Sequence, residues 1–266
     1  MLNMTLYKRE MKGSLKMLFV FAAILSMYVT IIIRMYDPEM MATLDSFYQA
    51  MPELMASVGM NTGATSLISF MISYLYGFIL LIFPMAFCIL RGNGLIVRYV
   101  DRGSMVTLLA SPIKRRTVAI TQMSALISGI LLLTIYTAGL EMMIAETNFP
   151  GELAIAELLK LNASLLCLHL FIGGTCFLAS CIFSDTKYSI ALGAGIPALM
   201  YIFQMLANAG EKADVIKYFT FFTLFDANGI VAGESSAVIG TLALLMGAII
   251  LYTTGVVVFC KKDLYI

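Results

Sequence analysis

Apolar and polar positions divide the chain into six long uncharged runs separated by charged or turn-rich segments. The runs are 17–33, 67–90, 117–140, 161–184, 188–210 and 235–260. Each is close to the roughly 20 apolar residues that a helix needs to cross a hydrocarbon core of about 30 Å. A membrane barrel would instead show short segments of alternating polarity, and these runs do not alternate. The pattern predicts an all-α integral membrane protein with six transmembrane helices. Unequal flanks and loops give no sign of an inverted repeat. The Lys-rich start resembles a signal peptide, but no small-residue cleavage site follows it, so the first run reads as a retained anchor.

The segments between the runs carry patterns of their own. At 100° per residue Met4, Tyr7, Met11, Leu15 and Leu18 share a stripe, with Lys8, Arg9, Lys12 and Lys16 on another. This predicts an amphipathic interfacial helix over 1–16, flat on the inner leaflet. The loop 91–116 holds a turn and N-cap at Asp101-Arg102-Gly103-Ser104, a short helix over 105–109 with Met105, Leu108 and Leu109 on one side, and a stop at Ser111-Pro112. Such a helix serves equally as a docking element for a partner or as a helix lying on lipid. Beyond the first run, Pro38, Pro52 and a helical-looking 51–60 make a long outer loop. Residues 218–225 are very apolar yet too short to cross, which predicts a helix or hairpin dipping into the outer leaflet. Its aromatics Tyr218, Phe219, Phe221, Phe222 and Phe225 would form an outer gate or line a substrate path, or simply anchor at the interface, with Asp226 at the headgroups.

Composition strengthens this picture. With 61% hydrophobic and 12% charged residues and a mean hydropathy of +0.93, the chain has too little polar surface for a water-soluble protein. A net charge of +1 offers no surface for a nucleic acid backbone. The charge is nevertheless unevenly placed. Thirteen of the 17 basic residues (Lys8, Arg9, Lys12, Lys16, Arg91, Arg98, Arg102, Lys114, Arg115, Arg116, Lys187, Lys261 and Lys262) fall on one set of loops, and most acidic residues fall on the other. The positive-inside rule then puts both termini in the cytoplasm of a multi-pass protein, as in a bacterial cytoplasmic membrane.

Candidate chemistry is sparse. Neither a GxxxxGK[ST] phosphate loop nor a GxSxG elbow occurs, so no catalytic residue is assigned and nucleotide energy would have to come from a partner. The five cysteines lie in or beside apolar runs without zinc-ligand spacing, so they read as small buried hydrophobes and no metal site is expected. His169 and Glu141 are the intramembrane polar candidates. His169 serves as helix-to-helix glue or as a functional group, and Glu141 as an interfacial residue or a cation- or proton-coupling one.

The stretch Tyr99-Val100-Asp101-Arg102-Gly103-Ser104-Met105-Val106-Thr107-Leu108-Leu109-Ala110-Ser111-Pro112-Ile113-Lys114-Arg115-Arg116 resembles the signature of ABC-2 type (type V) ABC exporter permeases. That signature joins a carboxylate, a Gly-Ser or Gly-Thr pair, a Leu-Leu pair, a proline and a basic residue. Met51-Pro52-Glu53-Leu54, Phe222-Thr223-Leu224-Phe225-Asp226 and the ending Lys261-Lys262-Asp263-Leu264 are also similar to family patterns. The one departure is Asp101, where the family usually has Glu. The resemblance implies two permease subunits, identical or related, and two cytosolic ATPases that hold ATP and magnesium. The chain itself would carry no cofactor. The loop becomes a coupling helix, with Asp101, Gly103, Met105, Leu108, Leu109, Pro112 and Arg116 as ATPase-coupling residues, and 1–16 becomes a connecting helix. The cargo would be an amphipathic drug, peptide or antibiotic. Two rivals stay open: an interaction or immunity protein that sequesters an antimicrobial without turnover, and an ion-driven carrier using Glu141 or His169.

Overall fold

The computed structural model describes residues 2–37, 51, 56–57, 66–110, 113–209 and 211–263, without the side chains of Leu109 and 211–214. Pro52, Glu53, Pro112 and most of the helical-looking 51–60 stretch lie outside the described residues. Within them every regular element is helical, and six helices are long and apolar enough to cross a bilayer.

The first is α1, Met4–Arg34. The second span begins with α2, Leu67–Met71, widens into a π-helical stretch, Ile72–Ile79, and continues as α3, Leu80–Gly92. Two short helices follow, α4, Val97–Asp101, and α5, Ser104–Ala110. The remaining spans are α6, Arg115–Asn148; α7, Ile155–Ile182; α8, Thr186–Asn208; and α10, Ser235–Lys261. Between the last two lie 3-10 turns at Glu211–Phe219 and Phe221–Leu224 and the short α9, Ala227–Ala232.

The spans form an inner and an outer group. In one 18-residue apolar stretch of each span, 61% of the residues are buried in the second and fourth and 56% in the third, against 22%, 17% and 28% in the first, fifth and sixth. The outer three turn large apolar side chains such as Phe19, Ile202 and Ile239 outward. In water that face would carry an apolar penalty of about 25 cal/mol per Å², and lipid removes it. Close contact uses small residues. Gly193 of α8 lies against the Asn93 side chain and Ala179, and Gly240 of α10 against the backbone of Leu224, so a Cβ at either would collide.

The amino end is one helix with the first run: α1 is unbroken over 31 residues, about 46 Å at 1.5 Å per residue, so residues 4–16 continue directly into 17–33. The face it buries is Leu6, Glu10, Ser14 and Leu18, continuing through Phe21, Leu25, Val29 and Ile33 at three- or four-residue spacing, while Met4 and Leu15 of the expected stripe are exposed. A carboxylate displaces the apolar stripe because its ionic partner stands on the neighbouring span.

Hydrogen bonds gather the basic loops at one end of the bundle. Asn3 N–H donates to Thr121 (3.0 Å), Thr186 to Asp101 (2.7 Å), and Arg115 to the Lys262 carbonyl (2.7 Å). At the opposite end Tyr36 packs edge-on to Phe149 and beside Phe70. With the native cysteines replaced, single Arg102→Cys, Lys187→Cys and Lys262→Cys variants are expected to react alike with an impermeant thiol reagent, and Glu152→Cys and Asp226→Cys variants oppositely. Reaction of the 102 and 226 variants from the same side of intact cells would contradict this arrangement.

Candidate functional site

Two polar centres are built into the bundle, one at each end. At the basic end the Glu10 carboxylate, 3% exposed, is surrounded by donors from three other elements. Arg91, in the last turn of α3, pairs with it through Nη2 and also donates to the Glu10 carbonyl (2.9 Å). Tyr99 of α4 donates through its hydroxyl, and Gln122 of α6 through Nε2 (3.3 Å). A bare charge at this depth would cost several kcal/mol, and a partner with well-placed donors offsets that. The cluster thereby fixes α4, and α5 after it, to the first three spans.

The α4–α5 hairpin turns at Gly103, whose φ of +68° is one that favours glycine. Asp101 is exposed and holds Thr186 at the start of α8, so the hairpin also touches the fifth span. Met105 is buried and Leu108 partly buried against the core, which turns the expected apolar docking face inward. The outward face carries Arg102, Val106, Thr107 and Ala110, with Arg116 exposed nearby. Pro112 and the Leu109 side chain lie outside the described residues. A groove of about 520 Å³ runs between this hairpin and the start of α1, bordered by Leu6, Arg9, Tyr99 and Leu108. No composition signal marks the cluster. The available hint was that Glu10 is the lone acid among Lys8, Arg9, Lys12 and Lys16.

Near the other end Glu141 of α6 is fully buried among side chains of the bundle. Tyr76, on the π-helical stretch, donates to Glu141 Oε2 (2.8 Å), and Asn162 Nδ2 of α7 donates to the same oxygen (2.9 Å) and to the Tyr76 hydroxyl (2.6 Å). Glu141 Oε1 and Asn162 Oδ1 are buried with no hydrogen-bond partner. A wide π turn displaces backbone and side chains from α-helical positions, which is how Tyr76 reaches across. His169 stands apart from this triad. Its Nε2 lies 3.4 Å from the Leu81 carbonyl across the second span, a helix-to-helix contact.

Beside Tyr76 a cavity of about 250 Å³ is bordered by Tyr201, Gln204, Asn208, Phe222, Phe225 and Asp226. The expected aromatic gate therefore divides. Phe222 and Phe225 are buried against the cavity, and Phe221 stacks on Phe222 (4.8 Å) and packs on Phe171 (4.9 Å). Tyr218 and Phe219 are 80% and 67% exposed. The segment is a pair of 3-10 turns broken at Thr220, whose hydroxyl donates to the Met200 carbonyl (2.9 Å), so part of its backbone is tied to α8.

Compared with protein-family models, curated proteins and solved structures, the chain matches none.

The basic-end cluster makes a stability prediction. Glu10→Ala or Arg91→Ala alone is expected to cost about 3–5 kcal/mol, because each strands a buried partner. Replacing both, Glu10→Met with Arg91→Leu, is expected to recover most of that loss. Thermal and denaturant unfolding of the purified variants in one detergent measures both.

Proposed function

We propose that this chain is the membrane-spanning permease subunit of an ATP-driven exporter of hydrophobic or amphipathic small molecules or peptides, powered by a separate ATPase. The observation that carries this reading is the α4–α5 hairpin. It lies at the end of the bundle with most of the basic loops, presents a mixed polar and apolar face outward (Asp101, Arg102 and Thr107 with Val106 and Ala110), and is fastened to the first, second, third and fifth spans through Glu10, Arg91, Gln122 and the Asp101–Thr186 hydrogen bond. An element so fastened transmits a push from below to several spans at once, which a motor protein needs and a lipid-resting helix does not. The positive-inside rule puts that face in the cytosol, where ATP and magnesium are held by the partner. A second permease subunit would cover part of the outward apolar faces of the outer spans.

An ion-driven carrier is the alternative with an observation in its favour: a buried carboxyl, Glu141, with one oxygen unpartnered.

The chain purified from its own membranes is expected to bring an ATPase whose hydrolysis rises several-fold with amphipathic compounds. Val106→Asp with Arg102→Glu, both on the exposed face of the hairpin, is expected to abolish that stimulation while leaving insertion and unfolding temperature unchanged. Uptake or efflux driven by a sodium or proton gradient with no ATPase present, and lost in Glu141→Gln, would replace the exporter reading with the carrier.

A further inference from the structure

The cavity beside Tyr76 has a definite chemical character. Among its described lining residues there is no lysine or arginine, whereas the Asp226 carboxylate stands at its edge and four aromatic rings, Tyr76, Tyr201, Phe222 and Phe225, form much of its wall. Tyr201 and Phe222 meet edge to face with centroids 5.4 Å apart, so the wall is fixed by packing of rings from α8 and from the 3-10 turn. Behind Tyr76 lies the Glu141 carboxyl, which accepts the tyrosine hydroxyl at 2.8 Å. Glu141 Oε1 and Asn162 Oδ1 are buried without hydrogen-bond partners behind Tyr76, outside the cavity wall itself.

Aromatic faces are negative at their centres and draw cations within about 6 Å, more strongly where water is excluded. A carboxyl hydrogen-bonded to the hydroxyl of one ring adds to that potential in a low-dielectric setting. We infer that the cavity binds an amphipathic organic cation, with an ammonium head among Tyr76, Tyr201, Phe222 and Phe225 and its charge answered by Asp226 and Glu141. At about 250 Å³ the space suits a head group with a short stem rather than a whole drug-sized molecule. The amide oxygens of Gln204 and Asn208 on the same wall already accept from the Thr223 hydroxyl (3.0 Å) and from Gln204 Nε2 (3.1 Å), so the cation is left to the rings and the carboxylate. Glu141 does not border the cavity and acts through Tyr76, so it is a positioning residue, whereas Asp226 meets the ligand. The inference rests on the export reading only in naming the bound molecule as cargo. Binding itself needs no motor.

The test uses the purified full chain in nanodiscs of neutral phosphatidylcholine, with three probes of one shape: benzyltrimethylammonium, phenylmethanesulfonate and benzyl alcohol. Calorimetry is expected to give the cation an affinity about tenfold above that of the anion, as a charge and ring contribution of this kind would produce. Asp226→Asn, which keeps the side-chain oxygen that accepts from the Gly229 N–H at the start of α9 (3.0 Å), and Glu141→Gln, which keeps the shape, are each expected to reduce the cation-to-anion ratio several-fold and leave benzyl alcohol unchanged. A purely structural role would lower all three affinities together. Equal affinity for cation and anion in the wild type, or a wild-type ratio in both carboxyl variants, overturns the site. If Glu141→Gln fails to fold, the Asp226→Asn ratio decides. Selective cation binding without any stimulated ATPase would sustain the site and sink the exporter reading. Stimulated ATPase without charge preference would do the reverse.

Discussion

A charge taken out of water inside an apolar bundle must be met by an opposite charge, and the Glu10–Arg91 pair meets that constraint here. Its carboxylate arrives on α1, its guanidinium on α3, and its further donors on α4 and α6. Four elements are thus held at one rotational setting, with α1 and α6 further joined by the Asn3–Thr121, Tyr7–Ser128 and Ser26–Tyr136 hydrogen bonds. Apolar packing in lipid is permissive about helix rotation, since tails and leucines are equally apolar. The ion pair is not permissive, and it selects Leu6, Glu10, Ser14 and Leu18 as the buried face of α1.

The opposite end follows another rule. Glu141 has two neutral donors on one oxygen and none on the other, and no cation among its described partners. The arrangement depends on the π-helical stretch Ile72–Ile79, which brings Tyr76 between Glu141 and the cavity. A few residues further on, Pro84 interrupts the backbone ladder of the same span, while Leu81 carries the carbonyl beside His169. The second span therefore concentrates irregular backbone where polar groups meet, and its other end, through Arg91, joins the ion pair. One rigid but locally distorted span connects the hairpin at the basic end to the cavity near the acidic one.

The arrangement of apolar side chains agrees with a bilayer on the outside. Between their polar ends the first, fifth and sixth spans are largely apolar, yet only a narrow strip of each is buried, on α8 no more than Ser189, Gly193, Pro197 and Tyr201. The fourth span lies at the centre, crossed closely by α10 at Gly173 and Gly174.

That six helices are long and apolar enough to cross was legible in the sequence, because the length of an uncharged run is fixed by the thickness of hydrocarbon and needs no knowledge of neighbours, whereas α1 begins at Met4 and α6 runs on to Asn148, beyond the uncharged runs. The short helix over 105–109 and its glycine turn were legible for a similar reason: Gly103 and Ser104 act within a few residues. Which face of a helix is inside was not. The stripe through Met4, Tyr7, Met11, Leu15 and Leu18 was the better apolar pattern, but Glu10 found Arg91 81 positions away, and a buried ion pair outweighs a modest amphipathic bias. Likewise Met105 and Leu108 formed a plain apolar face, but only the packed bundle decided that it points inward. Glu141 looked interfacial because it lies near the end of an apolar run. Its burial was decided by Tyr76 and Asn162, which converge on it from 65 and 21 residues away. Local sequence sets lengths, turns and caps, while the pairing of polar groups between distant spans is a property of three-dimensional proximity, which one chain read in order does not contain.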